Sequence, residues 1–384
     1  MAVTSTHIHN QIIKWRTRVM REWRRGNLFS PYMGESPTNI IQVTNELKSG
    51  GDILSIPMVG ALRGPGVSTG PLTGNEEKLD NYGMRLWVDW SRNAVLLTKA
   101  QMRKSSFEQL ELVRPLLTEW GNCLIRDEII HAMMALPSEA PPVNMGNEAT
   151  AGQRVNGILY NEATATEKDT WQAANVDRVL FGALKTNTLG THAASLAALD
   201  NTDDKASAKI LLLAKRVARA ANPSITPYKD SESEGREYFV AFCGAETFRD
   251  LAADPAIVDA NTNARPREGR GMDDNPLFQD GDLLYRGIII REIPEISDFY
   301  TISNGTIPVQ PIFFCGQNAI ALGWGQMPKP TERREDDYGF LIGRGVEAVW
   351  GVGKVFKKRD PESSTTALLQ WGMLTLFVAA PPDL

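Results

Sequence analysis

The segment 351–354, GVGK, comes nearest of all stretches in this chain to a known chemical motif, the phosphate-binding loop. That motif needs a glycine five residues before its glycine–lysine pair and a hydroxyl side chain after the lysine, because backbone amides cradle the phosphate and the hydroxyl binds Mg²⁺. Ala348 and Val355 occupy those two positions. The segment 343–345, GRG, lies in a strand-rich run without a following helix, which also argues against a dinucleotide fingerprint. Neither segment predicts nucleotide chemistry.

The histidines and carboxylates that could act as bases are isolated from nucleophiles. His131 falls on a predicted buried helix and His192 in an alanine-rich loop, and spacing places no serine or cysteine beside either one. The carboxylates at 336–337 belong to the charged run ERREDD, which is typical of a solvated loop. Asp177 and Arg178 are interpreted as a surface ion pair, because no other catalytic group can be placed beside them. We therefore predict no catalytic residues.

Metal-binding patterns are equally weak. His7 and His9 flank Ile8 but have no third ligand nearby, so they do not predict a zinc site. The cysteines are odd in number and far apart, which favours neither a disulfide framework nor a metal cluster and fits a reducing cytosol. They are Cys123, Cys243 and Cys315. We predict no metal and no cofactor.

The composition is that of a globular chain. The 384 residues, 42% hydrophobic and 23% charged, give room for two or three substructures. A net charge of -5 argues against a generally basic nucleic-acid binder, although local basic segments are compatible with it. No run approaches the roughly 18 apolar residues of a membrane span, so we expect no membrane partner.

Residues 1–25 form a basic segment with an apolar stripe. The stripe has helical spacing and consists of Ile12, Trp15, Val19 and Trp23. The cations are Lys14, Arg16, Arg18, Arg21, Arg24 and Arg25, against the single acid Glu22. An induced helix would dock its apolar side on a partner while the arginines face acid or phosphate. An ordinary surface helix with a solvated charged face explains the pattern equally well.

Two strand-like segments, 52–59 and 82–95, enclose a glycine-rich stretch and predict a long projecting hairpin. In the second segment Met84, Leu86, Val88 and Trp90 alternate with Arg85, Trp87, Asp89 and Ser91. The intervening stretch is too long for a tight turn inside a compact domain. Because a two-stranded arm is marginal alone in water, it needs a surface to lie upon. We expect Trp87, on the face opposite Trp90, to be buried there.

The residues from Ser105 to Leu136, closed by Pro137, predict one long helix. Ser105 and Glu108 form a capping box, and at about 1.5 Å per residue the helix would be about 45 Å long. Pro115 predicts a kink or a second helix start. The apolar stripe comprises Leu110, Val113, Leu117, Trp120 and Leu124. One face of this helix, which we name the spine, is therefore predicted to be buried.

The segment 138–204 predicts loop and short helices, with 175–184 anchored to the core. A second clear helix follows, capped by Asp203 or Asp204 and ending before Pro223. Its apolar positions are Ile210, Leu213 and Val217, and its outward cations are Lys209, Lys215, Arg216 and Arg219. That basic face is compatible with nucleic acid or simply with solvent. The C-terminal half, with buried strands such as 236–243 and 365–380, predicts a mixed α+β fold with long-range pairing.

The order of arm, projecting hairpin, spine and mixed C-terminal half resembles the tailed-bacteriophage major capsid proteins of the Hong Kong 97-like fold. More narrowly, NYGMRLWVDW, NVDRVLFG and CGQNAIALGWGQ resemble the major coat proteins of phages similar to coliphage N-four. The similarity extends over most of the chain. It consists of several short sequence segments and their order, and it includes no short motif that a particular chemical reaction requires.

The resemblance implies five regions. Residues 1–51 would be the N-terminal arm, 52–98 the extended hairpin loop, and 99–222 the peripheral domain with spine helix 105–136. Residues 223–320 would be the mixed α/β axial domain. The strands of 321–384 would be shared between the peripheral and axial domains. The segment 138–204 is longer than a minimal version of the fold needs, which leaves its place open.

The resemblance implies a non-enzymatic structural protein that assembles as homo-pentamers and homo-hexamers into an icosahedral shell around double-stranded DNA. Its other partners would be a portal and scaffolding or decoration proteins; it would reside in the host cytoplasm before assembly and in the virion afterwards. The expected assembly residues are Trp15, Trp23, Arg24, Arg63, Arg85, Trp87 and Trp90, and the expected DNA-facing residues are Lys209, Lys215, Arg216 and Arg219. The alternatives are a DNA-binding protein acting through the basic arm, an enzyme that no residue constellation supports, and a nanocompartment of the same fold.

Overall fold

The computed structural model describes residues 25–62, 64–105, 108–142, 145, 154–229, 237–263, 282–358 and 367–383. Its α-helices pack on both faces of one β-sheet and along another. In the described ranges they are α1 (Lys99–Lys104), α2 (Gln109–Met134), α3 (Ala165–Ala174), α4 (His192–Ala197), α5 (Ala208–Ala220), α6 (Ala245–Ala253), α7 (Pro255–Asn263) and α8 (Glu295–Phe299).

The strands concentrate in the hairpin and in the C-terminal half. They are β1 (Met33–Gly34), β2 (Ile41–Thr44), β3 (Ile53–Val59), β4 (Asn81–Trp87), β5 (Asp89–Thr98), β6 (Val155–Asn156), β7 (Val179–Phe181), β8 (Tyr228–Lys229), β9 (Glu237–Cys243), β10 (Asp282–Tyr285), β11 (Ile288–Glu292), β12 (Ile302–Ser303), β13 (Pro308–Cys315), β14 (Ile320–Asp336), β15 (Leu341–Lys354), β16 (Phe356–Lys358), β17 (Leu368–Gln370) and β18 (Met373–Ala379).

Two mixed sheets carry the architecture. The first has the order β1-β2-β14-β15-β5, with β6 paired to the far end of β15. The second has the order β10-β11-β9-β13-β18-β7, with β12 on β13 and β8 on β9. Separate two-stranded ladders join β3 to β4 and β16 to β17. Because helices cover both faces of the second sheet, its central strand β13 is buried at seven consecutive residues after Pro308, as in sheets with two covered faces.

The spine helix is α2, and it differs from the prediction at both ends. Ser105 does not cap it, because the preceding residues are good helix formers and make α1, whose last turn is closed by the bond from Ser105 N to Gln101 O (3.1 Å). The helix ends at Met134, since Leu136 pairs with the backbone of Ile158 instead. The helix continues through Pro115, so no second helix starts there.

Burial along α2 is uneven. Val113 and Leu117 of the predicted stripe are buried, whereas Leu110, Trp120 and Leu124 are only half-buried. The last turns are buried almost all round, because Ile129, Ile130 and Met133 join a core cluster to which both sheets contribute. The second half of the spine therefore joins the two sheets to each other.

A second core cluster lies on the other face of the second sheet. It packs α5, α6 and α7 against alternate residues of β9, β13 and β18. Ile312 and Phe314 face this cluster, whereas Phe313 and Cys315 face the first one, as strand alternation requires.

The hairpin is present, but its second strand is broken. β3 and β4 pair in antiparallel register from Ile53↔Trp87 to Val59↔Asn81, as predicted. The predicted single strand 82–95 is two strands, because β5 pairs with β15 and not with β3. The alternation of buried residues changes phase at Val88: Met84 and Leu86 are buried, and so are Trp87 and Asp89. The chain therefore passes at this residue from the ladder of β3 and β4 into the first sheet.

The isoleucine-rich segment after Asp282 forms a hairpin of β10 and β11, since Arg286 and Gly287 turn the chain with positive φ angles. One further expectation was wrong in detail. Asp204 does not cap α5, whose first turn is satisfied by the bond from Ala208 N to Asp254 Oδ2 (2.8 Å). The predicted strand 236–243, which is β9, and the predicted short helices of 138–204 are confirmed, and the predicted strand region 365–380 contains two strands, β17 and β18.

Candidate assembly surfaces

The hairpin ends in an irregular segment, 60–80, that exposes aliphatic side chains. The ladder closes with the bond from Gly60 N to Asp80 O (2.7 Å). Beyond it, Leu62, Leu72 and Leu79 are 67%, 68% and 57% exposed. These three leucines give the segment apolar side chains to bury on another surface, and full burial of each contributes about 1.5–3 kcal/mol.

One side-chain amide connects the root of the hairpin to β15. Asn156 donates from Nδ2 to the carbonyls of Trp87 (2.9 Å) and Val352 (3.2 Å), and its Oδ1 accepts from Trp87 N (2.9 Å). β6 occupies the place beside β15 that a straight continuation of β5 would fill. A Cβ on Gly351 would overlap the carbonyl oxygen of Trp87, so glycine lets the departing strand approach β15. The Asn156 side chain thus makes the hydrogen bonds to Trp87 and Val352 that a continuous ladder between this segment and β15 would have made.

A buried ion pair lies next to this root. Glu128 of the spine accepts from Arg154 Nε (2.7 Å) and pairs with its Nη2 (2.6 Å), and Arg154 also donates to the carbonyl of Trp90 (3.0 Å). Burial raises the pKa of Glu128 to about 7, against the opposing effect of Arg154 and with help from the charges of Asp127 and Asp89. The pair ties the spine to the first residues of β5.

Arg25, the first described residue, is held beside the spine by its backbone carbonyl. The carbonyl of Arg25 accepts from Cys123 Sγ (3.2 Å) and from Arg126 Nη1 (2.7 Å). Arg126 also pairs with Glu295 of α8 (2.9 Å). The predicted assembly residues Trp15, Trp23, Arg24 and Arg63 lie outside the described residues.

The other predicted assembly residues differ in their exposure to solvent. Arg85 is exposed on β4, and Trp90 is 52% exposed at the start of β5. Trp87 is only 8% exposed within the single subunit. The expectation that it needs a neighbour to be buried was wrong, because the change of phase at Val88 turns Trp87 inward and Trp90 outward.

The basic face of α5 is present. Lys209, Arg216 and Arg219 are exposed, and Lys215 is half-buried with its Nζ donating to the carbonyl of Arg286. Burial and the charge of Arg219 lower the pKa of Lys215. A shallow groove of about 440 Å³ runs between Leu212, Ala220 and the last three cations.

The residues considered for catalysis are embedded in the core. Lys354 of the GVGK segment ends β15, is 2% exposed, and has its Nζ 3.2 Å from Gln370 Oε1, while burial lowers its pKa to about 7. His192 opens α4 and does not lie in a loop; its Nε2 is 2.8 Å from the hydroxyl of Tyr160. Arg178 is fully buried, so its pair with Asp177 (3.1 Å) is not the surface pair expected from the sequence.

Two sets of residues at these surfaces were not predicted from the sequence. Asn156 and Arg154 carry no local signal, because their role depends on strands about 65 and 200 residues away. A basic edge formed by Arg92, Lys99, Arg103 and Lys104 did carry one: residues 90–104 contain four cations and no acid.

Within the described ranges no three potential ligands gather to hold a metal ion. None of the helices described there combines the length and the apolar character needed to cross a bilayer.

Comparison with known proteins gives a consistent result. A sequence model of the phage capsid protein family matches residues 3–376. A capsid subunit of cyanophage Pam1 is 32% identical over 100% of both chains, with a TM-score of 0.83. A capsid subunit of Ralstonia phage GP4 is 18% identical over 99% of this chain and 100% of its own, with a TM-score of 0.71.

A more distant match is the head structure of Helicobacter pylori bacteriophage KHP40, at 12% identity over 99% and 98% of the two chains and a TM-score of 0.63. No curated protein sequence matches this chain. The mixed α+β architecture is the Hong Kong 97-like fold that the sequence predicted. Since the family match covers nearly the whole chain, this protein belongs to the phage capsid protein family.

Proposed function

We propose that this chain is a major capsid protein that assembles as pentamers and hexamers into the icosahedral shell enclosing phage double-stranded DNA. The observation that carries the proposal is the similarity over the full length to the Pam1 capsid subunit, 32% in sequence with a TM-score of 0.83. The exposed leucines of 60–80 support it, because they give the subunit an apolar surface to bury on its neighbours. The alternative, a DNA-binding protein acting through residues 1–25, explains neither observation.

The five regions form part of the proposal. The arm is 1–51, the hairpin 52–98, the peripheral domain 99–222, the axial domain 223–320, and 321–384 is shared. Support for the shared C-terminus comes from β15, which lies in the first sheet, and β18, which lies in the second. The segment 138–204 contributes β7 to the second sheet, which argues for an integral part of the fold and against a surface insertion.

The partners follow from the same proposal. They are other copies of this chain, packaged DNA on the inner face, a portal, and scaffolding or decoration proteins. The protein would reside in the host cytoplasm before assembly and in the virion capsid afterwards, without enzymatic activity. Kinship with the coat proteins of N-four-like phages rests on the phrases NYGMRLWVDW and CGQNAIALGWGQ alone. Arg85 and Trp90, both exposed, and the arm residues Trp15, Trp23 and Arg24 with Arg63 are proposed assembly contacts.

Expression of the chain, alone and with the proteins encoded beside it, tests the function. We expect closed shells, or sheets and tubes built from the same rings, in negative-stain electron micrographs of the purified material. Analytical ultracentrifugation of the same samples should show species far larger than the 42.4 kDa chain. Persistent small monomers that bind DNA in a salt-sensitive way, and lose that binding when residues 1–24 are removed, would favour the DNA-binding alternative.

We propose that the α5 face, Lys209, Lys215, Arg216 and Arg219, contacts the phosphates of packaged DNA. None of these four side chains has an acidic partner in the described part of the chain. Phosphate neutralisation releases counterions, so each contact adds about 0.9 to the slope of log affinity against log salt.

Substitution of Lys209, Arg216 and Arg219 by Gln should therefore reduce that slope by about 3 for a short DNA duplex. The matched control replaces the exposed Lys185, Lys329 and Arg114 by Gln and should leave the slope near the wild-type value. Fluorescence anisotropy from low to high salt measures both variants. An equal loss in the control would assign the effect to net charge and refute the contact.

A further inference from the structure

Apolar side chains that remain partly in water line one flank of the spine. Leu112, Leu116 and Trp120 recur at every fourth residue of α2, so they lie on one stripe, which we name the leucine flank. Leu116 is 44% exposed, and Leu112 and Trp120 are half-buried. The exposed Thr118 lies on the other flank, because two residues turn an α-helix by about 200°. The leucine flank is therefore suited to receive the apolar stripe of another helix.

The described part of the chain begins next to the leucine flank. The carbonyl of Arg25 accepts from Cys123 Sγ (3.2 Å), and Cys123 follows Trp120 by three residues on the same side of α2. Trp23 precedes Arg25 by two residues, so the Cα atoms of these two residues are within about 7 Å of each other. The chain before Arg25 therefore starts at the Trp120 end of the leucine flank.

Along the spine, apolar surface is available in one direction only. Towards the end of α2, Ile129, Ile130 and Met133 already belong to a core cluster. Towards its start lie the partly exposed Leu116 and Leu112. A preceding segment that packs on the spine must therefore follow its first half, and its chain direction is then parallel to that of α2.

The apolar stripe of the N-terminal arm matches the leucine flank in length. The stripe has helical spacing, and its last three members span eight positions, or about 12 Å of helix. The leucine flank spans the same eight positions. A parallel helix that ends near Cys123 therefore places the two stripes face to face. The facing pairs are Trp23 with Trp120, Val19 with Leu116, and Trp15 with Leu112.

The two segments also carry opposite charges. Residues 1–24 hold five cations against one acid, whereas residues 105–122 hold three acids against one cation. Of these acids, Glu108 and Glu111 are exposed and Glu119 is half-buried. Opposite charges beside an apolar contact favour one partner and one register over others.

We infer that residues 12–24 of the unassembled subunit form a helix that docks parallel to α2 on the leucine flank of the same subunit. The contact lies within one chain and goes beyond the proposed function. Because one stripe cannot pack on the spine and on a neighbour at once, the docked arm withholds Trp15 and Trp23 from the assembly contacts proposed above. Release of the arm is then a step of assembly.

A designed disulfide tests the contact in full-length, unassembled subunits. Val19→Cys with Leu116→Cys puts thiols on one facing pair, and the three native cysteines are buried. On mild oxidation we expect at least tenfold more intrachain disulfide than in the control, Val19→Cys with Thr118→Cys, whose second thiol lies on the other flank. Non-reducing electrophoresis and peptide mass spectrometry measure the intrachain product.

Substitution of the leucine flank gives a second readout. Leu112→Gln with Leu116→Gln removes apolar surface from the spine, so trypsin should cleave at the five cations of residues 1–24 at least tenfold faster than in the wild type. The control, Leu184→Gln with Leu189→Gln, changes two exposed leucines elsewhere and should leave this rate unchanged. Thermal melting of each variant separates release of the arm from unfolding.

The same disulfide tests the consequence for assembly. Oxidised subunits that carry Val19→Cys with Leu116→Cys should yield at least tenfold fewer particles than the same subunits in the reduced form. Addition of a reductant should restore the yield. Electron microscopy and sedimentation measure the particles.

Equal intrachain disulfide in the two cysteine pairs, or disulfide-linked dimers in place of intrachain bonds, would overturn the docking within one subunit. Cleavage of the flank variant at the wild-type rate would overturn it as well. Normal assembly of the oxidised subunits would show that the docked arm withholds no assembly contact. Failure of the wild-type chain to form any particle contradicts the proposed function and leaves the measurements on unassembled subunits valid, so the two failures are distinguishable.

Discussion

Replacement of residues 61–79 by an Asn-Gly turn is expected to abolish particle formation and to leave a folded, soluble subunit. The ladder of β3 and β4 already closes at Gly60 and Asp80, and a two-residue turn of this composition suits the twist of an antiparallel pair. Neither the two core clusters described above nor a third one, which packs Met84 and Leu86 of the hairpin against Ala321 and Phe356, contains a residue from 61–79, so the subunit loses little internal burial.

The loss falls on the contacts between subunits. Removal of Leu62, Leu72 and Leu79 takes away about 5 kcal/mol or more of apolar burial per subunit at about 1.5–3 kcal/mol each. Electron microscopy and sedimentation measure the particles, and circular dichroism with thermal melting measures the fold. Normal shells from the shortened chain would refute a role for the hairpin in assembly; an unfolded chain would show that 61–79 serves the subunit itself.

The second large effect concerns the buried pair of Glu128 and Arg154. With Arg154→Met, Glu128 keeps its burial but loses its cation, and an unpaired buried charge costs about 3–5 kcal/mol. The cost should be largest at pH 8, where the carboxylate is ionised. At pH 5 the carboxyl can hold its proton and the variant should approach the wild type.

The pH dependence of stability follows from the direction in which folding shifts the pKa of Glu128. The pKa of Glu128 in the folded chain is raised to about 7, so folding favours the protonated form. The stability that this group contributes is fully present below its unfolded pKa and is lost as pH rises toward 7 and above. Burial lowers the pKa of His131 and His192, and these groups change stability in the opposite sense below about pH 6.5. Both histidines are present in every variant, so their contribution cancels when the free energies of unfolding of two variants are subtracted at the same pH.

Chemical denaturation of the wild type, Glu128→Gln and Arg154→Met at pH 5 and pH 8 measures these differences. Glu128→Gln should gain on the wild type as pH rises, because the amide cannot ionise. The double variant should recover part of the loss of Arg154→Met at pH 8. A loss in Arg154→Met that is equal at the two pH values would mean that packing, and not the charge of Glu128, sets its cost.

Sequence patterns predicted those helices and strands whose formation depends mainly on neighbouring residues. The spine was recognisable from its spacing, and it runs through Pro115 because that residue is exposed, where water can satisfy the freed carbonyl of Glu111. The hairpin was recognisable from alternation on both sides of a glycine-rich stretch. β9 was recognisable as an apolar run, 236–243.

Features decided by distant partners could not be predicted in this way. The alternation of 82–91 continues through Val88 in the sequence, and only the competition of β6 for the edge of β15 breaks the strand there. The ends of α2 and α5 moved because Leu136 and Ala208 find partners in Ile158 and Asp254. Arg178 looked like a surface residue, yet it lies at 0% exposure beneath the carbonyl of Pro223.

The break at Val88 gives the two halves of one strand-like segment different neighbours. The half before it belongs to the hairpin, which packs on the subunit through a core cluster that joins Met84 and Leu86 to Phe356. The far end of the hairpin is fastened as well, because Asp80 pairs with Lys357. The half after the break completes the first sheet. The direction of the hairpin is therefore already set within a single subunit.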